Sequence, residues 1–135
     1  LRECDAGIKM GVSAISDVVD RVADKHCRRL QTDCKAQHDK LKAEIRTLLD
    51  KYGDDGKDPN PIAKGMSHMK TGMKLGMDDS DQTIADLITD GCNMGVKSLS
   101  QYLNQYKAAD ETSKNITKRL IALEERLAVD IRGFL

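Results

Sequence analysis

The chain has no tryptophan and a single phenylalanine, and aromatics make up only 3% of its 135 residues. Single-stranded nucleic acids are held largely by stacking bases on aromatic platforms, and so few rings leave no such platform. Charge of one sign is also missing, because 22 basic and 22 acidic residues cancel. A neutral chain lacks the positive field that non-specific nucleic-acid binding draws on. No apolar run approaches the roughly 18 residues needed to cross a bilayer, and no signal-peptide pattern opens the sequence. There is no Gly-x-Ser-x-Gly, no phosphate-binding loop and no dinucleotide-binding glycine pattern, with only three histidines to serve as bases. These absences predict a cytoplasmic protein that is not an enzyme, requires no cofactor, binds no nucleic acid and stays out of the membrane.

What is present is helical. Charged residues reach 33%, and the core must come from aliphatic side chains, Met and Cys. The four cysteines, Cys4, Cys27, Cys34 and Cys92, are far apart and lie within helical patterns, as suits reduced thiols rather than a disulfide framework. A chain of this length fits one domain and buries about two thirds of the surface its unfolded form exposes.

The chain also echoes itself. Gly7, Met10, Gly11, Val12, Ile15 and Ser16 return 84 positions later as Gly91, Met94, Gly95, Val96, Leu99 and Ser100. Ala43-Glu44-Ile45-Arg46 with Leu49 returns at an offset of 86 as Val129-Asp130-Ile131-Arg132 with Leu135. A repeat this long is half a domain, duplicated and joined. Residues 1–52 and 80–135 are the two halves, and 53–79 is a crossover.

Apolar or small residues at Leu1, Cys4, Ile8, Gly11, Ile15, Val18 and Val22 define a first helix. Asp24 caps a second, with an inward stripe of Cys27, Leu30, Cys34, Gln37 or His38, Leu41, Ile45, Leu48 and Tyr52. Gly53 to Pro59 is a linker, after which Asn60 and Pro61 open a short Met-rich helix ending near Met77. Ser80 and its neighbouring aspartates cap the next helix, with Ile84, Ile88, Gly91, Gly95, Leu99, Tyr102 and Tyr106 inward. Asp110 caps the last, with Ile116, Leu120, Leu123, Leu127, Ile131 and Phe134 inward. Two hairpins and a long connector predict an all-α four-helix bundle with a fifth helix in the crossover and an internal pseudo-twofold.

This order, with the repeated Gly-x-x-Met-Gly of Gly7-Met10-Gly11 and Gly91-Met94-Gly95, resembles the ferritin-like superfamily, in particular a bacterial branch of small bundles with a duplicated hairpin. Di-iron members of that superfamily place a Glu on each of two helices and a Glu-x-x-His on each of the other two. Here Lys35 stands three residues before His38, and Glu124, the counterpart of His38, follows Ile121 at the same spacing. The first and third bundle helices offer Ile8, Gly11, Ile15 and Gly91, Gly95, Leu99 where carboxylates are needed. The resemblance therefore implies a degenerate bundle without oxidase or iron-storage chemistry, acting as a structural or protein-interaction module. Its partner is a second copy, as a homodimer, or an unknown protein.

Three further patterns carry expectations. Gly7 with Gly11, and Gly91 with Gly95, are spaced for close helix packing. Cys34 and His38 lie one turn apart, and with Met66, His68 and Met69 they supply the alternative of a soft-metal protein, copper or zinc binding or stress-related storage. Ile62, Met66, Met69, Met73 and Met77 fall on one face of the crossover helix, a face predicted to lie buried against the bundle.

Overall fold

The computed structural model describes all residues 1–135 and is all-α. Helix α1 spans Arg2–Val18 and ends in a 3-10 turn, Val19–Arg21. It is followed by α2 (Lys25–Lys51), α3 (Pro61–Met77), α4 (Asp81–Gln105) and α5 (Glu111–Asp130), with a terminal 3-10 turn at Arg132–Phe134.

The helix starts are held by side chains that satisfy otherwise orphaned N–H groups. The Asp24 carboxylate accepts from the amides of His26 and Cys27 at 2.8 and 2.9 Å. Asn60 accepts from Ile62 at 2.9 Å, Ser80 from Thr83 at 3.3 Å, and Asp110 from Ser113 at 2.7 Å. The stop after α2 needs Gly53, whose φ of 65° lies in the left-handed region.

Four helices pack in a closed ring, α1 on α2 and α4, and α5 on α2 and α4. Asp81, at the start of α4, accepts from the amides of both Ala23 and Asp24 at 2.8 Å. Helices α2 and α4 therefore begin at the same end, and the segment between them travels the length of the ring. It is anchored at the opposite end by the buried carboxylate of Asp5, which accepts from the Lys57 amide at 3.0 Å and pairs with Lys9 at 2.8 Å. The core is aliphatic, with Ile8, Val22, Ile45, Ile84, Ile116, Leu120 and Ile131 almost fully enclosed. Each such side chain contributes on the order of 1.5–3 kcal/mol of burial.

Three details depart from expectation. On α2 the inward positions are Gln31 and Leu49, with Leu30 and Leu48 only half-buried and Tyr52 exposed. On α4 Cys92 is buried while Gly91 and Tyr106 are exposed. A helical turn of 3.6 residues allows a step of three or of four, and at Cys27 to Gln31, Ile45 to Leu49 and Ile88 to Cys92 the step is four.

The largest departure is α3. It lies against α1 and α4, but Leu75 is its one buried side chain. Met66, Met69 and Met73 are 65–66% exposed and Met77 is 89% exposed. The surface beneath explains this, because α1 and α4 offer carboxylates there rather than an apolar groove. His68 meets Asp17 at 2.6 Å, Lys70 meets Asp90 at 3.2 Å and Lys74 meets Asp86 at 2.8 Å. With the cationic side turned inward, the 3.6-residue period turns the methionines outward.

Candidate functional site

The middle of the helix ring holds a polar cluster rather than a continued aliphatic core. His38 on α2 is 1% exposed. Its Nδ1 donates to the carbonyl of Cys34 at 2.9 Å, with the Cys34 sulfur 3.5 Å away, and its Nε2 lies 2.8 Å from Oε1 of Glu124 on α5. A carbonyl can only accept, so the tautomer is set at Nδ1, and Nε2–H then donates to the carboxylate. Burial works against the charged ring. The hydrogen bonds to Cys34 and Glu124 and the charge of Glu124 outweigh it and raise the His38 pKa to about 10.

Two cysteines complete the cluster. Cys34 and Cys92 are both buried. Burial pushes the Cys92 thiol far above its ordinary range, and the neighbouring Glu124 carboxylate adds to the shift. A protonated thiol is a poor nucleophile and a poor metal ligand. The inward stripe left Gln37 and His38 as alternatives, and it is His38 that is enclosed. It is enclosed because Glu124 compensates its charge from the facing helix.

The glycines explain how an imidazole fits there. A Cβ on Gly11 would lie 3.1 Å from His38 Nε2, and one on Gly95 would lie 3.4 Å from the Glu124 carboxyl carbon. These two glycines make room for the pair. Gly7 and Gly91, expected to pack helix on helix, have nothing within 4 Å of a Cβ and face open space. Four residues are slightly more than one turn, so Gly7 and Gly91 are rotated off the ring side of their helices, and only half of each pair is a packing glycine.

Chemically the cluster is closed. Both imidazole nitrogens are donors already in use, so His38 has no lone pair for a metal or a proton in flight. No three His, Cys, Asp or Glu side chains converge as a metal-holding group. Cys34 and His38 share a turn but not a ligand geometry, and they are far from Met66, Met69 and His68, which sit on the exterior of α3. Elsewhere in the core, Gln31 donates to the Cys27 sulfur at 3.5 Å and its Oε1 has no partner.

An open cleft of about 880 Å³ at the end where α1 starts and α4 stops gathers Tyr52, Tyr102 and Tyr106. Its charges are already matched, Arg2 with Asp54, Lys57 with Glu3 and Lys114 with Glu111.

The outer face of α3 is the other candidate. Ile62, Met66, Met69, Met73 and Met77 are all largely exposed, and Met94 on α4 is 69% exposed. The antiparallel register set by Lys74 with Asp86 and Lys70 with Asp90 brings Met94 opposite Met66. The five α3 residues share one helix face, and Met94 stands level with its Met66 end on the neighbouring helix. The sequence showed the stripe but not which way it points, since periodicity defines a face and only the carboxylates of α1 and α4 decide its direction.

Comparison with known proteins finds no matching family model, no matching curated protein and no matching solved structure. No helix is long and apolar enough to cross a membrane.

Proposed function

We propose that this chain is a non-catalytic interaction module, a degenerate ferritin-like four-helix bundle that associates with a second copy of itself through α3. The carrying observation is the outward apolar face of Ile62, Met66, Met69, Met73 and Met77, continued by Met94. Soluble monomers seldom expose contiguous apolar patches above a few hundred Å². Side chains of this size and exposure offer several hundred Å², on the order of the ~800 Å² per partner of a standard interface. Met suits such a face because its unbranched thioether adapts to a partner's shape.

The ferritin-like part of the proposal rests on the closed helix ring, the length-spanning crossover and the position of the polar cluster. His38 and Glu124 are 86 residues apart, the offset at which the second half echoes the first. They occupy corresponding places in a duplicated hairpin, as do Gly11 and Gly95. In di-iron members of that superfamily the centre is lined by carboxylates and histidines. Here the residues do not fit a di-metal centre. Gly11 and Gly95 carry no ligand, Lys35 and Ile121 stand where the Glu-x-x-His motif has Glu, and His38 is spent on Glu124. No metal chemistry is derived from this centre.

Sedimentation velocity across a wide concentration range tests the module. The wild type is expected to dimerise, and Met69→Asp to remain monomeric with unchanged helicity. A wild type that stays monomeric at the highest concentration would sink the self-association reading.

A further inference from the structure

We propose that the cleft at the end where α1 and α5 begin binds a small aromatic amine in its protonated form, an ammonium group carried on a flat apolar body. No residue of α3 lines this cleft, so the inference goes beyond self-association and does not depend on it.

Three observations carry the site. The first is where the aromatic rings are. The chain has three tyrosines and no tryptophan, and all three tyrosines line the cleft, with Leu1, Leu49 and Leu103 among them. None of the three belongs to the buried core. Tyr102 and Tyr106 are splayed rather than stacked, with ring centroids 6.4 Å apart and planes at 36°, so neither ring covers the other's face. A tyrosine face is the negative side of the ring quadrupole and attracts cations. The volume of about 880 Å³ lies within the range of small-molecule pockets.

The second observation is the polarity of the floor. Cys4, Ser113 and Thr117 line the cleft and are only 3–6% exposed. The Ser113 hydroxyl donates to Asp110 Oδ2 at 3.0 Å, and the Thr117 hydroxyl donates to the Ser113 carbonyl at 2.9 Å. With the Thr117 proton committed, the Cys4 thiol is the donor in its 3.0 Å contact with Thr117 Oγ1. Every side-chain proton of the floor is thus spent inside the protein, and hydroxyl lone pairs are what remain. The floor accepts hydrogen bonds and offers none, which selects a ligand that donates.

The third is the charge left over. Arg2, Lys57 and Lys114 are matched by Asp54, Glu3 and Glu111, and none of them pairs with Asp110, which also lines the cleft. The Ser113 amide and hydroxyl hold the Asp110 carboxyl below the usual range, with the α-amino group of Leu1 a lesser contributor from beyond ion-pair distance. A carboxylate has about four lone-pair sites, and Ser113 takes two of them. Helices α1 and α5 begin at the cleft while α2 and α4 end there, so the helix dipoles offset one another and the side chains set the sign.

Three indole compounds with one ring system and different charge test the site: tryptamine, neutral tryptophol and anionic indole-3-propionate. Each is titrated into the full chain while the tyrosine ring-proton NMR signals are followed, signals that arise only from this cleft. Tryptamine is expected to shift the Tyr102 and Tyr106 signals and to bind about 10-fold more tightly than tryptophol, with indole-3-propionate the weakest. Asp110→Asn keeps a good helix cap and is expected to bring tryptamine down to the level of tryptophol, a loss of about 10-fold that fits one hydrogen bond to a charged group. Tyr106→Leu should weaken tryptamine about 2- to 5-fold, as loss of an exposed cation–π contact does. Equal affinity for the three compounds would reduce the cleft to an unselective apolar groove and overturn the proposal. So would tightest binding of indole-3-propionate, absence of tyrosine shifts with tryptamine, or unchanged tryptamine affinity in Asp110→Asn. Met69→Asp, which removes the docking face of α3, should leave tryptamine binding as it is. A wild type that stays monomeric and binds tryptamine would therefore sink self-association and keep this site, and a dimer that ignores tryptamine would do the reverse.

Discussion

His38 and His68 each face a carboxylate at close range, Glu124 at 2.8 Å and Asp17 at 2.6 Å, yet the two contacts do opposite work. His38 is enclosed, so its charge has no water to fall back on and depends on its bonds to Cys34 and on Glu124, its one counter-ion. His68 is 42% exposed on its side chain, and water competes for both partners. An exposed ion pair contributes about 0–1 kcal/mol. A buried one contributes little net over an apolar pair of the same shape, but removing one partner strands a charge and costs far more. The same two residue types therefore hold one region together and merely orient the other.

The comparison is sharpest in Glu124→Ala, which should cost about 3–5 kcal/mol in urea unfolding because it leaves a buried imidazolium without its counter-ion. The double variant His38→Leu/Glu124→Leu should recover most of that loss. If the double variant were as unstable as the single, packing rather than charge would be what the pair contributes. Asp17→Ala, by contrast, should change stability by less than about 1 kcal/mol.

A second break comes from pH. The folded-state pKa of His38 is about 10, against roughly 6.5 in an unfolded chain. Its contribution is fully present below about pH 6.5 and is lost as pH rises toward 10, because the unfolded chain releases the proton first. The buried thiols of Cys27 and Cys92, both raised by desolvation, add a loss of the same sign once unfolded thiols ionise. Urea midpoints should therefore fall steadily between about pH 6.5 and 10. A His38→Leu/Glu124→Leu protein should be flat up to about pH 8 and fall only where the thiols titrate.

The glycines allow a smaller contrast within one helix. Gly7→Ala should stabilise by up to ~1 kcal/mol, since its Cβ would meet nothing and alanine is the better helix former. Gly11→Ala gains the same propensity but pushes on the His38 ring from 3.1 Å, and overpacking costs about 1–3 kcal/mol. A net loss is expected. Equal gains at both positions would mean that the ring has space to move.

Much of the architecture was legible in periodicity and caps. Asp24, Asn60, Ser80 and Asp110 each announced a helix start, because an orphan amide needs an acceptor and those residues carry one. The long connector implied a path along the whole assembly. The buried pair was less legible. The offset of 86 set Glu124 against His38 in the alignment of the halves, yet a Glu on a helix stripe reads as a solvated charge until its partner is known to face it. Gln31 and Cys92 were missed because a step of three and a step of four fit the helical period equally well at those turns. The direction of α3 was not legible at all, since it depends on Asp17, Asp86 and Asp90, which lie in two other elements and carry no local mark of their role.

The smallest expected effect is also the most direct test of that direction. Were the methionine face of α3 buried, Met69→Ala would cost about 2–5 kcal/mol. With Met69 65% exposed, the change in dilute, monomeric protein should stay within about 0.5 kcal/mol. Two further readouts should agree. Mild peroxide should oxidise Met66, Met69, Met73 and Met77 quickly in the native state, because sulfoxide formation follows exposure. Amides of α3 should exchange with solvent well before those of α2, since Leu75 and a few surface ion pairs are all that hold α3 to the ring. A large loss in Met69→Ala with slow oxidation would turn the helix over and remove the face on which the self-association reading stands. Fast oxidation with protected α3 amides would keep the face and show that it rides on a helix more firmly attached than its contacts suggest.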